Sequence, residues 1–291
     1  MDEDIADEVK ERGLLSRVPW LHLLLFVLTI FSTLVAGTVQ KGINPLRHPG
    51  MIYAGIPFSA TLIIILLSHE LSHYFASRKH NTVATLPFFI PAPTLIGTFG
   101  AVIKMKSPIL SRRALVDIGA SGPVSGFLVS LAACVIGLHL SHVVRGPHAA
   151  QGITLGDSLI FYILTKLVVG STAGGDLVLN PIAFAGWIGF FVTFLNLLPA
   201  GQLDGGHVAY AFLGPLHKAV SRTLVGVLAV IGFFFWKGWI VWAALLLILG
   251  LKHPPVYQWE VPLEPSRKLI GLVVLLIFFL TFIPTPFKVT M

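Results

Sequence analysis

A hexapeptide in the first third of the chain carries residue types suited to metal chemistry. In the run SHELSH, His69 and His73 are four residues apart, and Glu70 follows the first histidine. Residues four apart lie on one face of a helix, so both imidazoles can bind one metal ion. Zinc suits such nitrogen ligands, at distances of about 2.0–2.1 Å. A carboxyl group beside the ion can accept the proton of a water molecule, so the pattern predicts one zinc ion per chain and a base at Glu70.

The surroundings of this pattern favour a chemical role. A wholly apolar run, 62–67, precedes it, and ionisable residues inside a membrane-spanning segment are costly and usually functional. The alternative is that the histidines mark the water-facing end of a helix, next to Arg78 and Lys79.

A third metal ligand is expected in the run NLLPAGQLDGGH, residues 196–207, because catalytic zinc takes three protein ligands and keeps one open position. Asp204 is the candidate. Its proline and glycine neighbours indicate a broken helix, which is tolerated at membrane depth only where it lines protein or a wet cavity. The alternative is an aspartate in a turn at a helix end.

The composition determines what kind of protein must position these residues. Of 291 residues, 55% are apolar and 11% are charged, whereas soluble domains carry about 25% charged residues. This excludes a soluble globular protein, a disordered chain and a coiled coil. The apolar runs are continuous rather than alternating, which disfavours a membrane β-barrel. The sequence therefore predicts an all-α polytopic membrane protein.

We predict seven transmembrane helices, since a span needs about 20 apolar residues. They cover 18–36, 52–77, 114–140, 181–198, 221–235, 239–251 and 268–284. The run from Trp236 to Trp239 is expected to form a turn between two short helices. The segment 158–170 is apolar but short, which is typical of a re-entrant or interfacial helix.

A short β-strand or re-entrant insertion is predicted after the second span. Prolines and glycines interrupt 81–112, so a helix is excluded there. Within it, 99–106 alternates in side-chain character with a period of two, as a strand does. We expect one membrane-embedded domain over 1–291, with its catalytic core at about 50–210 and C-terminal helices at about 221–284.

The net charge of +7 indicates topology rather than nucleic-acid binding. Most lysines and arginines fall between apolar runs, and their distribution favours a cytoplasmic N-terminus and a site near the cytosolic face. The segment 2–8 is acidic, which does not fit a signal or transit peptide. We therefore expect a multi-pass protein of a plasma or inner membrane.

Together these motifs resemble the site-2 protease family of intramembrane zinc metalloproteases, peptidase family M50. The resemblance is carried by His69-Glu70-x-x-His73, Asn196-x-x-Pro199 and Leu203-Asp204-Gly205, over about 50–210. The stretch from Gly97 to Pro123 also resembles the plant and cyanobacterial branch. Many bacterial relatives carry PDZ or CBS domains, and we expect neither in this chain.

The resemblance implies zinc bound by His69, His73 and Asp204, with Glu70 as general base and acid. It implies that Asn196 holds the substrate backbone or the oxyanion. The implied substrates are single-span membrane proteins, cut in or near their transmembrane segments during regulated intramembrane proteolysis.

Two other functions remain as alternatives. A transporter or metal carrier also places broken helices around a polar centre, but no inverted repeat is evident and carriage does not need Glu70. An inactive relative acting as a binding protein is disfavoured by the complete set of motif residues. The sequence does not predict an oligomeric state.

Three further features are interpreted from their surroundings. Gly122-x-x-x-Gly126 is typical of close helix packing. Asp117 is expected at a helix start or in an ion pair near Arg112 and Arg113. His207 is interpreted either as a support for the metal ligands or as a wet interfacial histidine.

Overall fold

The computed structural model of the chain describes residues 19–144, 152–171 and 174–290. The acidic segment 2–8 and the first residue of the predicted span 18–36 lie outside these ranges, so the topology interpretation of the N-terminus rests on sequence alone.

Helices occupy every stretch where a membrane span is predicted. Two of them begin at clear caps, since the side chains of Ser111 and Asn180 accept backbone N–H groups of α3 and α5. The helices are α1 Trp20–Gln40, α2 Ile56–Lys79, α3 Arg112–His139, α4 Leu159–Val168, α5 Pro181–Asn196, α6 Asp204–Leu213, α7 His217–Phe234, α8 Gly238–Leu249 and α9 Pro265–Thr281.

Membrane-spanning helices are confirmed as a class, but seven crossings are not. In the described part of the chain, four helical stretches are long and apolar enough: Trp20–Gln40, Pro49–Lys79, Arg112–His139 and Asp204–Phe234. Helices α5 and α8 have 16 and 12 residues, fewer than the about 20 that a span needs. The segment 158–170 forms α4, a ten-residue helix, which matches its prediction as a short apolar helix.

The insertion after α2 is an antiparallel hairpin of β1 Phe88–Pro91 and β2 Thr98–Val102, with Phe88 opposite Val102. Strand β2 confirms the first half of the predicted strand 99–106. Strand β1 was not predicted, because four residues that end in a proline give no readable alternation.

The hairpin runs along the length of α1. Near the start of α1, Nδ1 of His22 lies 3.1 Å from the carbonyl oxygen of Pro87. At its last residue, Gln40 donates from Nε2 to the carbonyl oxygen of Leu95 at 2.8 Å. The tip of the hairpin therefore reaches the opposite end of α1 from its base, as a re-entrant insertion does.

Helix α3 lies at the centre, packed against α2, α5 and α6. The core around it is aromatic and aliphatic, and Trp187, Phe190 and Leu138 are fully buried. Cys134 is buried in the same core. We call the end of the bundle where α3 begins the near end, and the end where α3 finishes the far end.

At the far end, short strands that the sequence did not predict close the bundle. Strand β3 His142–Val144 pairs with β5 Asp176–Val178, and β4 Gly152–Leu155 pairs with β6 Phe287–Thr290, both antiparallel. Runs of three or four residues are too short for their periodicity to be read.

At the near end, Asp117 joins three helical segments. Its carboxylate lies 2.9 Å from Nε2 of His80, just after α2. It also accepts hydrogen bonds from Nε and Nη2 of Arg267, in α9. Asp117 is thus in an ion pair near the start of α3, as expected, but its partner is Arg267 and neither Arg112 nor Arg113. Arg113 pairs with Glu264 at 3.3 Å.

Candidate metal centre

Three side chains from α2 and α6 converge on one point. Nε2 of His69 lies 3.1 Å from Nε2 of His73, and Oδ2 of Asp204 lies 3.1 and 3.2 Å from these two nitrogens. The histidine side chains are 5% and 6% exposed and that of Asp204 is 19% exposed. The spacing of His69 and His73 on α2 gives the first contact, and Asp204 arrives from 135 residues along the chain.

This triangle fits a tetrahedral metal ion. Bonds of about 2.0–2.1 Å to such an ion place its ligand atoms about 3.3–3.4 Å apart. The observed edges are 3.1–3.2 Å, shorter by only a few tenths of an ångström. Two imidazole nitrogens and a carboxylate oxygen are also the donor types that catalytic zinc takes. The three residues can therefore hold zinc, as the sequence predicts.

The carbonyl group of Ile118 fixes the orientation of His73. Nδ1 of His73 lies 2.8 Å from the oxygen of Ile118, in α3. A carbonyl oxygen only accepts, so the proton of the neutral ring is on Nδ1 and the Nε2 lone pair faces the triangle. Metal-binding histidines typically have such a partner on the ring nitrogen that does not bind the ion.

Three glycines of α3 leave room for the metal ligands. A Cβ at Gly122 would lie 2.1 Å from Nε2 of His73, and one at Gly126 would lie 3.0 Å from Nδ1 of His69. A Cβ at Gly119 would lie 2.9 Å from the backbone oxygen of Asp204. The packing surface predicted from Gly122-x-x-x-Gly126 therefore exists, and what packs against it is the ligand set itself.

Glu70 follows His69 on α2 and is 5% exposed. Its carboxyl group lies against the backbone of Ile103, just beyond the end of β2, and interacts with His73 and Asp204. Glu70 is therefore placed between the metal ligands and the hairpin, where a proton acceptor for a water molecule is needed.

Asn196 is the last residue of α5, and its side chain reaches the same point. Its Nδ2 lies 3.3 Å from Nε2 of His69. The structure therefore brings together all five residues that the sequence selects: His69, Glu70, His73, Asn196 and Asp204.

Asp204 is the first residue of α6, a helix that the sequence did not predict. The positive end of the helix dipole favours a carboxylate there. The sequence does not predict this helix because Gly205 and Gly206 are in its first turn, and glycine weakens helices. Both are needed for packing, because a Cβ would lie 2.0 Å from the oxygen of Leu197 or 2.6 Å from that of Ala200.

His207 has a partner that the sequence could not indicate. Its Nδ1 lies 2.7 Å from Nε2 of His253, in the loop between α8 and α9. Burial lowers the pKa of His253 below its usual value, so its ring is neutral at pH 7. His207 is thus a half-buried residue with a histidine partner, and it is not part of the ligand triangle. Its interpretation as a support for the metal ligands stays a prediction. Nothing in the spacing of positions 207 and 253 predicts their contact.

Comparisons with known proteins agree with this site. Residues 57–237 match the sequence pattern of peptidase family M50. The Arabidopsis thaliana protein "Probable zinc metalloprotease EGY2, chloroplastic" is 26% identical over 278 residues, 92% of this chain and 48% of that protein. "Probable zinc metalloprotease EGY1, chloroplastic" of the same plant is 32% identical over 219 residues, 66% of this chain and 39% of that protein.

The rice (Oryza sativa subsp. japonica) protein "Probable zinc metalloprotease EGY2, chloroplastic" is 27% identical over 281 residues, 90% of this chain and 49% of that protein. This chain thus spans half or less of the length of these relatives. No solved structure matches it. The family pattern covers more than half of the chain and includes the ligand triangle, Glu70 and Asn196. The chain therefore belongs to peptidase family M50.

Proposed function

We propose that this chain is an intramembrane zinc metalloprotease. It hydrolyses peptide bonds in or near the transmembrane segments of single-span membrane proteins. The observation that carries the proposal is the buried triangle of His69, His73 and Asp204, with Glu70 on the same helix as the two histidines. Simple metal carriage would not need that carboxyl group.

Each side chain has a role in the proposed reaction. His69, His73 and Asp204 hold one zinc ion, which supplies Lewis-acid polarisation of the scissile carbonyl and makes a water molecule more acidic. Glu70 accepts the proton of the attacking water and then delivers it to the leaving nitrogen. Asn196, beside His69, donates a hydrogen bond to the substrate backbone or to the oxyanion.

The hairpin is proposed to present the substrate in extended form. A helical substrate hides its carbonyl groups, so it must unwind before cleavage. The carbonyl oxygen of Lys104 accepts a hydrogen bond from the backbone N–H of Thr85, whereas the backbone of Ile103 lies against Glu70. Successive residues of an extended chain face opposite edges, so at Ile103 the backbone edge that faces Glu70 is not the edge that bonds to Thr85. An extended peptide can add to that edge beside the metal ligands.

The proposed setting is regulated intramembrane proteolysis by a multi-pass protein with its near end in the cytoplasm. Four long apolar helices support a membrane location. The names of the plant relatives locate those proteins in the chloroplast. The cytoplasmic placement of the near end is our proposal from the distribution of the basic residues alone.

Zinc content and cleavage, compared in wild type and Glu70→Gln, test the proposal. Purified protein in detergent is incubated with a panel of single-span membrane substrates. We expect one zinc ion per chain in both proteins and cleavage by wild type only, because the amide cannot accept the proton. Zinc in both proteins with equal cleavage would contradict the role of Glu70. An absence of zinc from reconstituted wild type would contradict the metal site and the function built on it.

A further inference from the structure

One face of α6 is held by the loop that joins α8 to α9. We call this loop, residues 251–263, the strap. His207, Tyr210 and Gly214 lie at helical spacing on the face that begins with Asp204. His207 bonds to His253, whose ring also stacks on Tyr210 with centroids 4.3 Å apart and planes 14° apart. A Cβ at Gly214 would lie 2.7 Å from the ring of Trp259.

The strap is anchored on α3 by contacts of a different kind. The backbone N–H of Gln258 donates to the oxygen of Leu110 at 2.9 Å. The guanidinium group of Arg112 lies 4.5 Å from the centre of a Trp259 ring. Arg112 also donates from Nε to the carbonyl oxygen of Ala211, in α6, at 2.8 Å. Two buried strap residues, Val256 and Leu263, form a small apolar cluster with α3 and α6.

The direction of the hydrogen bond between the two histidines follows from its surroundings. Nδ1 of His253 lies 2.7 Å from the carbonyl oxygen of Pro254, so this nitrogen carries the proton. In the neutral ring Nε2 is then an acceptor, and Nδ1 of His207 must donate to it. The strap thus offers α6 one acceptor of fixed position, one turn from Asp204.

Helix α6 needs support from outside. It has ten residues, and Gly214, with φ +56°, interrupts the helical stretch before α7 begins. Gly205 and Gly206 are in its first turn, and glycine is a weak helix former. Among the described residues, no side chain caps its N-terminus. Asp204 is therefore the first residue of a weak helix. Metal ligands, however, must be held within about 0.5 Å of their working positions.

We infer that the strap positions Asp204 for metal binding, and that His253 is the positioning residue of the strap. The inference rests on the proposed function, because it takes Asp204 as a zinc ligand. His253 does not touch the metal site and acts through His207 and Tyr210. Loss of its acceptor lets the first turn of α6 move, which weakens the grip of Asp204 on the ion.

The test is the rate at which zinc passes from the full chain to a colorimetric chelator. We expect His253→Leu to lose zinc about tenfold faster than wild type, since supports of metal ligands are typically worth 10–100-fold in metal affinity. His253→Gln keeps an acceptor oxygen near the place of Nε2, so its rate should stay close to that of wild type. The control His139→Leu removes an exposed imidazole at the far end of the bundle and should leave the rate unchanged.

The melting temperature of the metal-free protein separates positioning from general destabilisation. We expect equal values for wild type, His253→Leu and His253→Gln. Zinc loss from His253→Leu at the wild-type rate, or equal losses from both variants together with lowered metal-free melting temperatures, would overturn the inference. If His253→Leu does not fold, Trp259→Leu loosens the strap at its other anchor. It should also lose zinc faster, and a wild-type rate there would overturn the inference.

The same experiment distinguishes this inference from the proposed function. Wild type that binds no zinc would contradict both. Wild type that binds zinc and cleaves substrate, with His253→Leu releasing zinc no faster, would contradict the strap inference alone.

Discussion

Gly122 is the glycine of α3 where the metal site leaves the least room for an added side chain. An alanine methyl would lie 2.1 Å from Nε2 of His73, closer than Cβ contacts normally come. His73 cannot simply turn away, because Ile118 holds its other nitrogen. We expect Gly122→Ala to displace that imidazole and lower zinc affinity more than about tenfold, the scale typical of perturbed metal ligands. Zinc content after dialysis against a chelator measures this.

The control is Gly226→Ala, on α7, where the added Cβ meets nothing within 4 Å. It makes the same chemical change in a helix and should keep the zinc content of wild type. Full zinc occupancy in Gly122→Ala after the same dialysis would show that the imidazole of His73 can move without losing the ion.

At the residue scale, the sequence predicts what local geometry or a motif determines. His69 and His73 must share a helical face, so their convergence follows from a spacing of four. Asp204 was selected because proline and glycine residues beside it indicate a broken helix, and Asn196 was selected by resemblance to the site-2 protease family. The structure brings both side chains to His69. The contact between His207 and His253 could not be predicted, because it depends on where the strap crosses α6.

The hairpin is the element whose chemistry is most open to test. If its free edge pairs with an extended substrate, the N–H group of Ala101 is a donor to that substrate, because Ala101 and Ile103 face one edge and the N–H of Ile103 already faces the carboxyl group of Glu70. Ala101→Pro removes this donor. A hydrogen bond is worth about 1 kcal/mol net, so the change should slow cleavage about fivefold. The measurement is kcat/KM with a single-span substrate.

A matched variant keeps the N–H group while changing the side chain at the same position. Ala101→Gly should therefore cleave faster than Ala101→Pro. Zinc content should be equal in both, because this position does not bind the metal. A proline variant that cleaves as fast as wild type would rule out strand addition at this edge.

At the element scale, the sequence predicts long apolar helices well and short or interrupted elements poorly. Helices α1, α2 and α3 are at the predicted positions because their apolar runs are long. Helix α6 was not predicted because it contains two glycines, which have low helix propensity. Both are required for close packing on Leu197 and Ala200. In such cases tertiary packing overrides the local preference that a sequence pattern reports.

For the whole molecule, contacts between the helix ends divide these ends into two sets. At the near end, Ser111 pairs with Gln258, and His207 with His253. At the far end, the ring N–H of Trp239 donates to the oxygen of Pro284 at 2.7 Å. The chain therefore runs from the near end to the far end along α7, returns to the near end along α8, and reaches the far end again along α9. Such alternation is what seven crossings require, although α8 is short for a span.

Single-cysteine labelling tests this topology and its orientation together. In a Cys134→Ser background, Lys237→Cys places a thiol in the exposed turn between α7 and α8, and Lys252→Cys places one at the exposed start of the strap. The distribution of lysine and arginine predicts that Lys252 is cytoplasmic and Lys237 is not. A membrane-impermeant maleimide should then label Lys252→Cys only in inside-out vesicles and Lys237→Cys only in right-side-out vesicles. The background protein should stay unlabelled in both. Labelling of both positions from one side would mean that α8 enters the membrane without crossing it, whereas exchanged labelling would place the near end and the metal centre outside the cytoplasm.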